Sequence, residues 1–343
     1  MGRGLIFFLI LVLATSNLIA QEEDRANESE KSEYFEEYPG LLSSRLYTSR
    51  KYTSLMVKDG VTRVFEPNST LNLGVGATYN DFTLNLALGF GFMNPGRQDV
   101  TTTYLDLQAH AYPKNWIFDL FGQFYTGYRV QGSTLSSPNV DENFLAPDLR
   151  LRKIGANVQR LLNGENLSLN AAFQQSAWQK RSAGSFMAGF EMYGGRVLQR
   201  GEENLIFDDI PFLTGQPFIS YFQLGPNVGY AGTLVLFKHF FITGVASINY
   251  NFGYSSFEND NDPVFNWGFS HNYFLRGFVG YNSAKWSINT NYVHNNIGLV
   301  DIGDASVRIM TGNYRINFIY RFQPGKKLKP YLDFANPKTI LGM

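Results

Sequence analysis

The feature that most constrains this chain is a two-residue alternation that recurs from Leu71 nearly to the C-terminus. Leu71, Leu73, Val75, Ala77 and Tyr79 share one face, with Asn72, Gly74, Gly76 and Thr78 on the other. After Asn80-Asp81, a hairpin signal, Phe82, Leu84, Leu86, Leu88, Phe90 and Phe92 alternate with Thr83, Asn85, Ala87, Gly89 and Gly91. Residues 105–111, 116–125, 240–252 and 315–322 repeat the pattern. Period two means strand, because successive side chains leave a pleated strand on opposite sides. One face is long and apolar, and the other is rich in Gly, Asn, Ser and Thr. That contrast fits a barrel with lipid outside and hydrogen-bonding groups inside. A soluble sandwich, with its apolar faces buried against each other, is the competing fold. Aromatics near strand ends (Tyr79 and Phe82, Tyr112 and Trp116, Tyr281 and Trp286) are expected to form interfacial girdles.

Composition narrows the class further. The 343 residues include 30 Phe, 20 Tyr and 4 Trp, so the chain is not of the charge-rich, aromatic-poor disordered type. No Cys means no disulfide framework, no Cys-based zinc site and no thiol nucleophile. With 29 basic and 29 acidic residues the net charge is zero, which argues against nucleic-acid binding. Residues 1–20, with Arg3 ahead of an apolar run from Leu5 to Ala14, read as an export signal peptide. No run downstream is long enough for a spanning helix, and lipid admits only helices and closed barrels.

Residues 21–40 hold an acidic block, Glu22 to Glu37, and are expected to be a flexible N-terminal segment, an arm for a basic partner or a solvated leader. Residues 41–322 are expected to be an antiparallel transmembrane β-barrel in the outer membrane. Fourteen strands are read, at 44–57, 69–80, 82–93, 101–112, 116–129, 150–160, 167–178, 184–194, 196–208, 217–236, 240–255, 267–281, 286–296 and 305–322, with twelve as the alternative. This count places short turns at the periplasmic end and longer loops outside. Residues 323–343, with three prolines, are read as a periplasmic tail. Tyr320-Arg321-Phe322 closes the last strand in the manner of a signal for barrel-insertion machinery.

Several runs then resemble a known family: Phe65-Glu66-Pro67-Asn68, Leu71 to Ala77, Tyr104 to Gln108, Asp119 to Tyr125, Trp178 to Ser185 and Lys238 to Phe241. The resemblance is to an uncharacterised Bacteroidetes outer-membrane family, domain of unknown function 4421, over about residues 38–322. It implies the barrel and the compartment. It brings no activity, ligand or catalytic residue.

Nucleotide, zinc-protease and serine-hydrolase motifs are absent, and no enzyme or cofactor is expected. Asp106, His110, Asp119, Gln123, Arg276 and Arg315 are the polar residues expected to line the lumen, with Arg152 a further candidate. Their charges set either a structural ion-pair network that plugs the barrel or a selective pathway. Lys180 and Arg181 form a basic turn, expected outside, that could touch lipopolysaccharide phosphates. Three functions follow: a passive channel or ligand-conducting barrel of unknown ligand, a scaffolding barrel that engages another envelope component, and a membrane-embedded hydrolase using one of the four His.

Overall fold

The computed structural model describes residues 33–59, 61–79, 82–94, 102–113, 115–130, 145–199, 218–258, 263–303 and 305–335. The expected signal peptide, the acidic residues before Glu33, Asn80-Asp81 and the end of the expected periplasmic tail lie outside these. Among the described residues the chain is almost wholly β. In order come β1 (Phe35–Glu37), β2 (Leu42–Asp59), β3 (Val61–Glu66), β4 (Leu71–Tyr79), β5 (Phe82–Gly89), β6 (Thr103–Ala111), β7 (Trp116–Val130) and β8 (Leu145–Leu161). Helix α1 (Leu169–Phe173) and β9 (Ala177–Gln179) follow. Then come β10 (Ala183–Leu198), β11 (Phe218–Leu236), β12 (Phe240–Glu258), β13 (Pro263–Asn282), β14 (Trp286–Gly298), β15 (Ser306–Phe322) and α2 (Lys329–Ala335).

Ten strands close the ring, in the order β2, β15, β14, β13, β12, β11, β10, β8, β7, β3 and back to β2, and every pairing is antiparallel. Three more strands attach to it: β4 on β2, β5 on β4 and β6 on β7. The ring is therefore neither fourteen- nor twelve-stranded. Two misreadings explain half of the difference, and the other half is that β4, β5 and β6 stand outside the ring while the unread β3 enters it. Residues 167–178 hold α1 and β9 instead of a spanning strand. Their run Leu167 to Trp178 has no Val, Ile or Thr, and Leu169, Ala171 and Ala172 favour a helix once buried. Residues 183–198 are one strand running straight through Gly194-Gly195. A β-carbon at Gly195 would overlap the Arg152 carbonyl and the Tyr221 ring, so that glycine answers to close neighbours and not to a turn. The rest of the expected strand 196–208 beyond Gln199 lies outside the described residues.

The apolar faces point outward. Val75, Leu84, Leu86, Leu88, Leu105, Ile248, Phe269 and Ile316 are all exposed. An exterior of this kind suits lipid. On β13 an aromatic group (Phe265, Trp267, Phe269) lies toward one end and Tyr281, stacked on Trp286 at 4.6 Å, toward the other. From Phe269 to Tyr281 is about 40 Å of strand. A tilt near ~40° projects that to about 30 Å, the thickness of a hydrocarbon core. Two other aromatics expected in a girdle are elsewhere: Tyr79 and Tyr112 are buried.

The interior has three layers. Toward the end with the long loops lies a dry apolar core built from inward residues such as Leu55, Val57, Phe65, Leu149, Leu151, Ile219 and Ile309. Below it is a polar belt. At the opposite end, where the short turns, β1 and α2 lie, the segment 162–182 folds back into the barrel. There Leu167 and Leu169 pack with Ile117, Leu161 and Met187, and Phe173 stacks on Phe278 at 4.4 Å.

The described part of the acidic segment is not a free arm. Strand β1 pairs with β9, and Tyr38 donates its amide to Ser176. Burial pushes the Tyr38 phenol up to about 12, and its ring lies 4.9 Å from the Arg321 guanidinium.

Candidate functional site

Alternation places the polar belt, because each inward residue follows from strand parity. Asp119 on β7 is fully buried and gathers its partners from both sides of the barrel. His110 on the neighbouring β6 meets it through Nδ1 at 2.7 Å, and Asn157 on β8 donates to it at 3.1 Å. Arg276 on β13 donates to the same carboxylate from five positions around the ten-strand ring, its far side. Arg276 also donates to the Tyr112 hydroxyl at 3.1 Å and lies over the Phe274 ring at 4.1 Å. A direct ion pair therefore spans the ring at that level.

The belt continues as amide ladders between strands. Gln159 donates to Asn227 at 3.1 Å, and Asn227 donates to Asn157 at 2.8 Å. Glu191 accepts from Asn251 at 3.0 Å and from Asn272 at 2.7 Å. Lys153 donates to Thr311 at 2.8 Å and lies 5.6 Å from the Tyr193 ring. Paired groups of this kind offset the cost of burying charge and rigidify the frame.

The structure joins His110, Asp119 and Arg276 in one network. Asp106 belongs to a second, accepting from Lys51 at 2.9 Å, Gln108 at 2.9 Å and Tyr125 at 3.0 Å. Gln123 is fully buried, and neither end of its amide is hydrogen-bonded among the described residues. Arg315 faces inward beside the Tyr47 ring, 4.4 Å away, hydrogen-bonded into neither network but within electrostatic reach of Asp106. Arg152 faces outward, exposed, and its neighbour Lys153 takes the interior place. Lys153, Glu191 and Arg45 were missed, although the parity of β8 and β10 and the inward register of β2 would have found them.

Lys180 and Arg181 do not lie on an outer turn. Segment 162–182 begins and ends at the short-turn end, so both residues sit there and pair with Glu36 and Glu33 of the N-terminal segment. His110 is oriented by Asp119 in the manner of an acid–base dyad, yet no Ser or Thr hydroxyl is hydrogen-bonded to it among the described residues. Ser270 points inward and His271 outward, as adjacent strand residues must. Among the described residues no cluster of three His, Asp or Glu side chains is placed to hold a metal ion.

Ring, outward apolar face and filled interior define a closed antiparallel β-barrel of the membrane-spanning class. The chain belongs to the family of the domain of unknown function DUF4421, whose model matches residues 29–322. No curated protein matches it. Solved outer-membrane barrels are similar in outline only. The outer-membrane protease OmpT of Escherichia coli shares 13% identity over 82% of this chain and 96% of its own, with a TM-score of 0.35. The toluene transporter TodX of Pseudomonas putida shares 7% over 84% and 92%, with a TM-score of 0.24. The outer membrane protein OprG of Pseudomonas aeruginosa shares 11% over 84% and 98%, with a TM-score of 0.24.

Proposed function

We propose that this protein is an outer-membrane barrel that acts as a sealed scaffold, engaging another envelope component, and not as a lengthwise channel. The observation that carries the reading is the dry core at the long-loop end. Leu55, Phe65, Leu149, Leu151, Ile297 and Ile309 have no more than a trace of accessible surface, where a porin lumen would be lined by hydrated polar groups. Two further seals lie in series with it, the Asp119–Arg276 pair and the 162–182 plug. A passive pore would have to lose all three.

The surface offered to a partner is the short-turn end, where β1, β9, the plug and α2 gather. Export by residues 1–20 and insertion guided by Tyr320-Arg321-Phe322 belong to the same reading. Planar-bilayer recording of the purified, refolded chain tests it. The expected result is no stepwise current. Reproducible unitary conductance from the wild-type chain would overturn it and restore the passive channel.

A further inference from the structure

The barrel sealed along its axis is not sealed around its wall. In the half nearer the short turns, among the described residues, β5 pairs only with β4, and β6 only with β7. The two strands face each other as unpaired edges within the outward apolar band, flanked by Leu84, Leu86 and Leu88 on one side and Leu105 and Leu107 on the other. An open strand edge is not tolerated against bare lipid, because its backbone groups have no partner there. Here part of the edge is served from inside. The Asp106 and His110 carbonyls of β6 accept from Lys51 and from Gln174 of the plug. That leaves less backbone for an added strand from a partner.

Behind the seam the charge is unbalanced. Arg45 is buried and donates to Asn85 of β5 at 3.2 Å and to the Gln174 carbonyl at 2.7 Å. It meets no carboxylate among the described residues, and its Nε is buried without a hydrogen-bond partner. Arg315, on the strand beside it, makes no direct ion pair among the described residues, Asp106 acting on it only from a longer range, and its Nε is buried without a hydrogen-bond partner there. Lys51 is matched by Asp106 alone. Buried guanidinium groups without anions are costly, and guanidinium matches phosphate and carboxylate geometry. Access is local too. The His110 side chain is 31% exposed and Lys51 19%, whereas Asp119 and Lys153 deeper in are closed off.

We infer that the β5–β6 seam is a lateral binding site for an anionic amphiphile, its phosphate or carboxylate head against Arg45, Arg315 and Lys51 and its acyl chain lying out between the Leu84–Leu88 and Leu105–Leu107 faces. The site opens sideways to the bilayer and does not depend on a conducting lumen.

The test titrates detergent-purified, delipidated full-length protein with dodecyl phosphate, with inorganic phosphate and dodecyl maltoside in parallel. Bound stoichiometry is read by native mass spectrometry, and folding by the heat-modifiable gel shift. One dodecyl phosphate per chain is expected, held at least ~10-fold more tightly than either control. Arg45→Gln and Arg315→Gln should each weaken it about tenfold, and Arg45→Lys should restore part of the affinity. A bulky maleimide on Leu86→Cys, in a chain with no native Cys, should block binding without unfolding the ring, and it carries the test if an arginine variant fails to fold. Equal retention of dodecyl maltoside overturns the head-group assignment. Inorganic phosphate binding as tightly as dodecyl phosphate overturns the lipid-facing part, and so does undiminished binding to the Leu86-labelled variant.

Discussion

Two arcs of one wall behave differently. From β10 through β15 the strands are 13–20 residues long, and each neighbour is paired along an almost unbroken register. From β3 through β6 they are 6–9 residues long and branch. There β3 and β4 follow one another along β2, interrupted at Pro67, which cannot donate to a ladder. Strand β7 pairs with β6 below and with β3 above, and the change falls at Gly127, which has φ +88° and sits at a register shift against β8. Glycine adopts that angle without strain. Thr102 ties the fork together, accepting from the Asn68 amide at 2.7 Å and donating to the Gly127 carbonyl at 2.7 Å. The long arc supplies the closed frame. The forked arc leaves the wall a place to open.

The comparison can be broken most sharply at the pair that braces the long arc against β7, the strand on which β3 and β6 both pair. Asp119→Ala leaves Arg276 buried without its anion, and a loss of about 3–5 kcal/mol is expected, read as a lower urea midpoint in refolding. Adding Arg276→Leu should recover much of that loss, since an apolar pair of similar volume costs little. A smaller effect is expected within the long arc. Gly195→Ala forces a β-carbon against the Arg152 carbonyl, costing about 1–3 kcal/mol, whereas Gly244→Ala meets nothing within 4 Å and should shift stability by less than ~0.5 kcal/mol. Hydrogen exchange sharpens the contrast without mutation. Amides of β5 and β6 should exchange at least ~10-fold faster than those of β12 and β13, and equal protection would erase the distinction between the arcs. The smallest effect is expected at the rim. Lys180→Gln, which removes a partly exposed pair with Glu36, should cost no more than about 1 kcal/mol in the same urea titration.

Much of this was legible in the residues and some was not. The outward faces of β4, β5, β6, β12 and β15 follow from alternation alone, because lipid accepts only one chemistry on a strand. Parity likewise placed Asp106, His110, Asp119 and Arg276 inward. It could not tell that Asp119 and Arg276 meet, since they lie 157 residues apart and their contact exists only when the ring closes. Nor could it distinguish a strand from a helix over Leu167 to Phe173, where small and apolar residues serve either period until burial chooses.

The sequence by itself determined strands with one greasy and one small polar face, and so favoured an antiparallel barrel, for the side-chain period of a strand is a local property. Only the tertiary structure decided the ring of ten, the dry upper core, the inserted plug and the unpaired seam. Each depends on which distant strands become neighbours, and that is fixed by closure of the whole wall and not by any one segment.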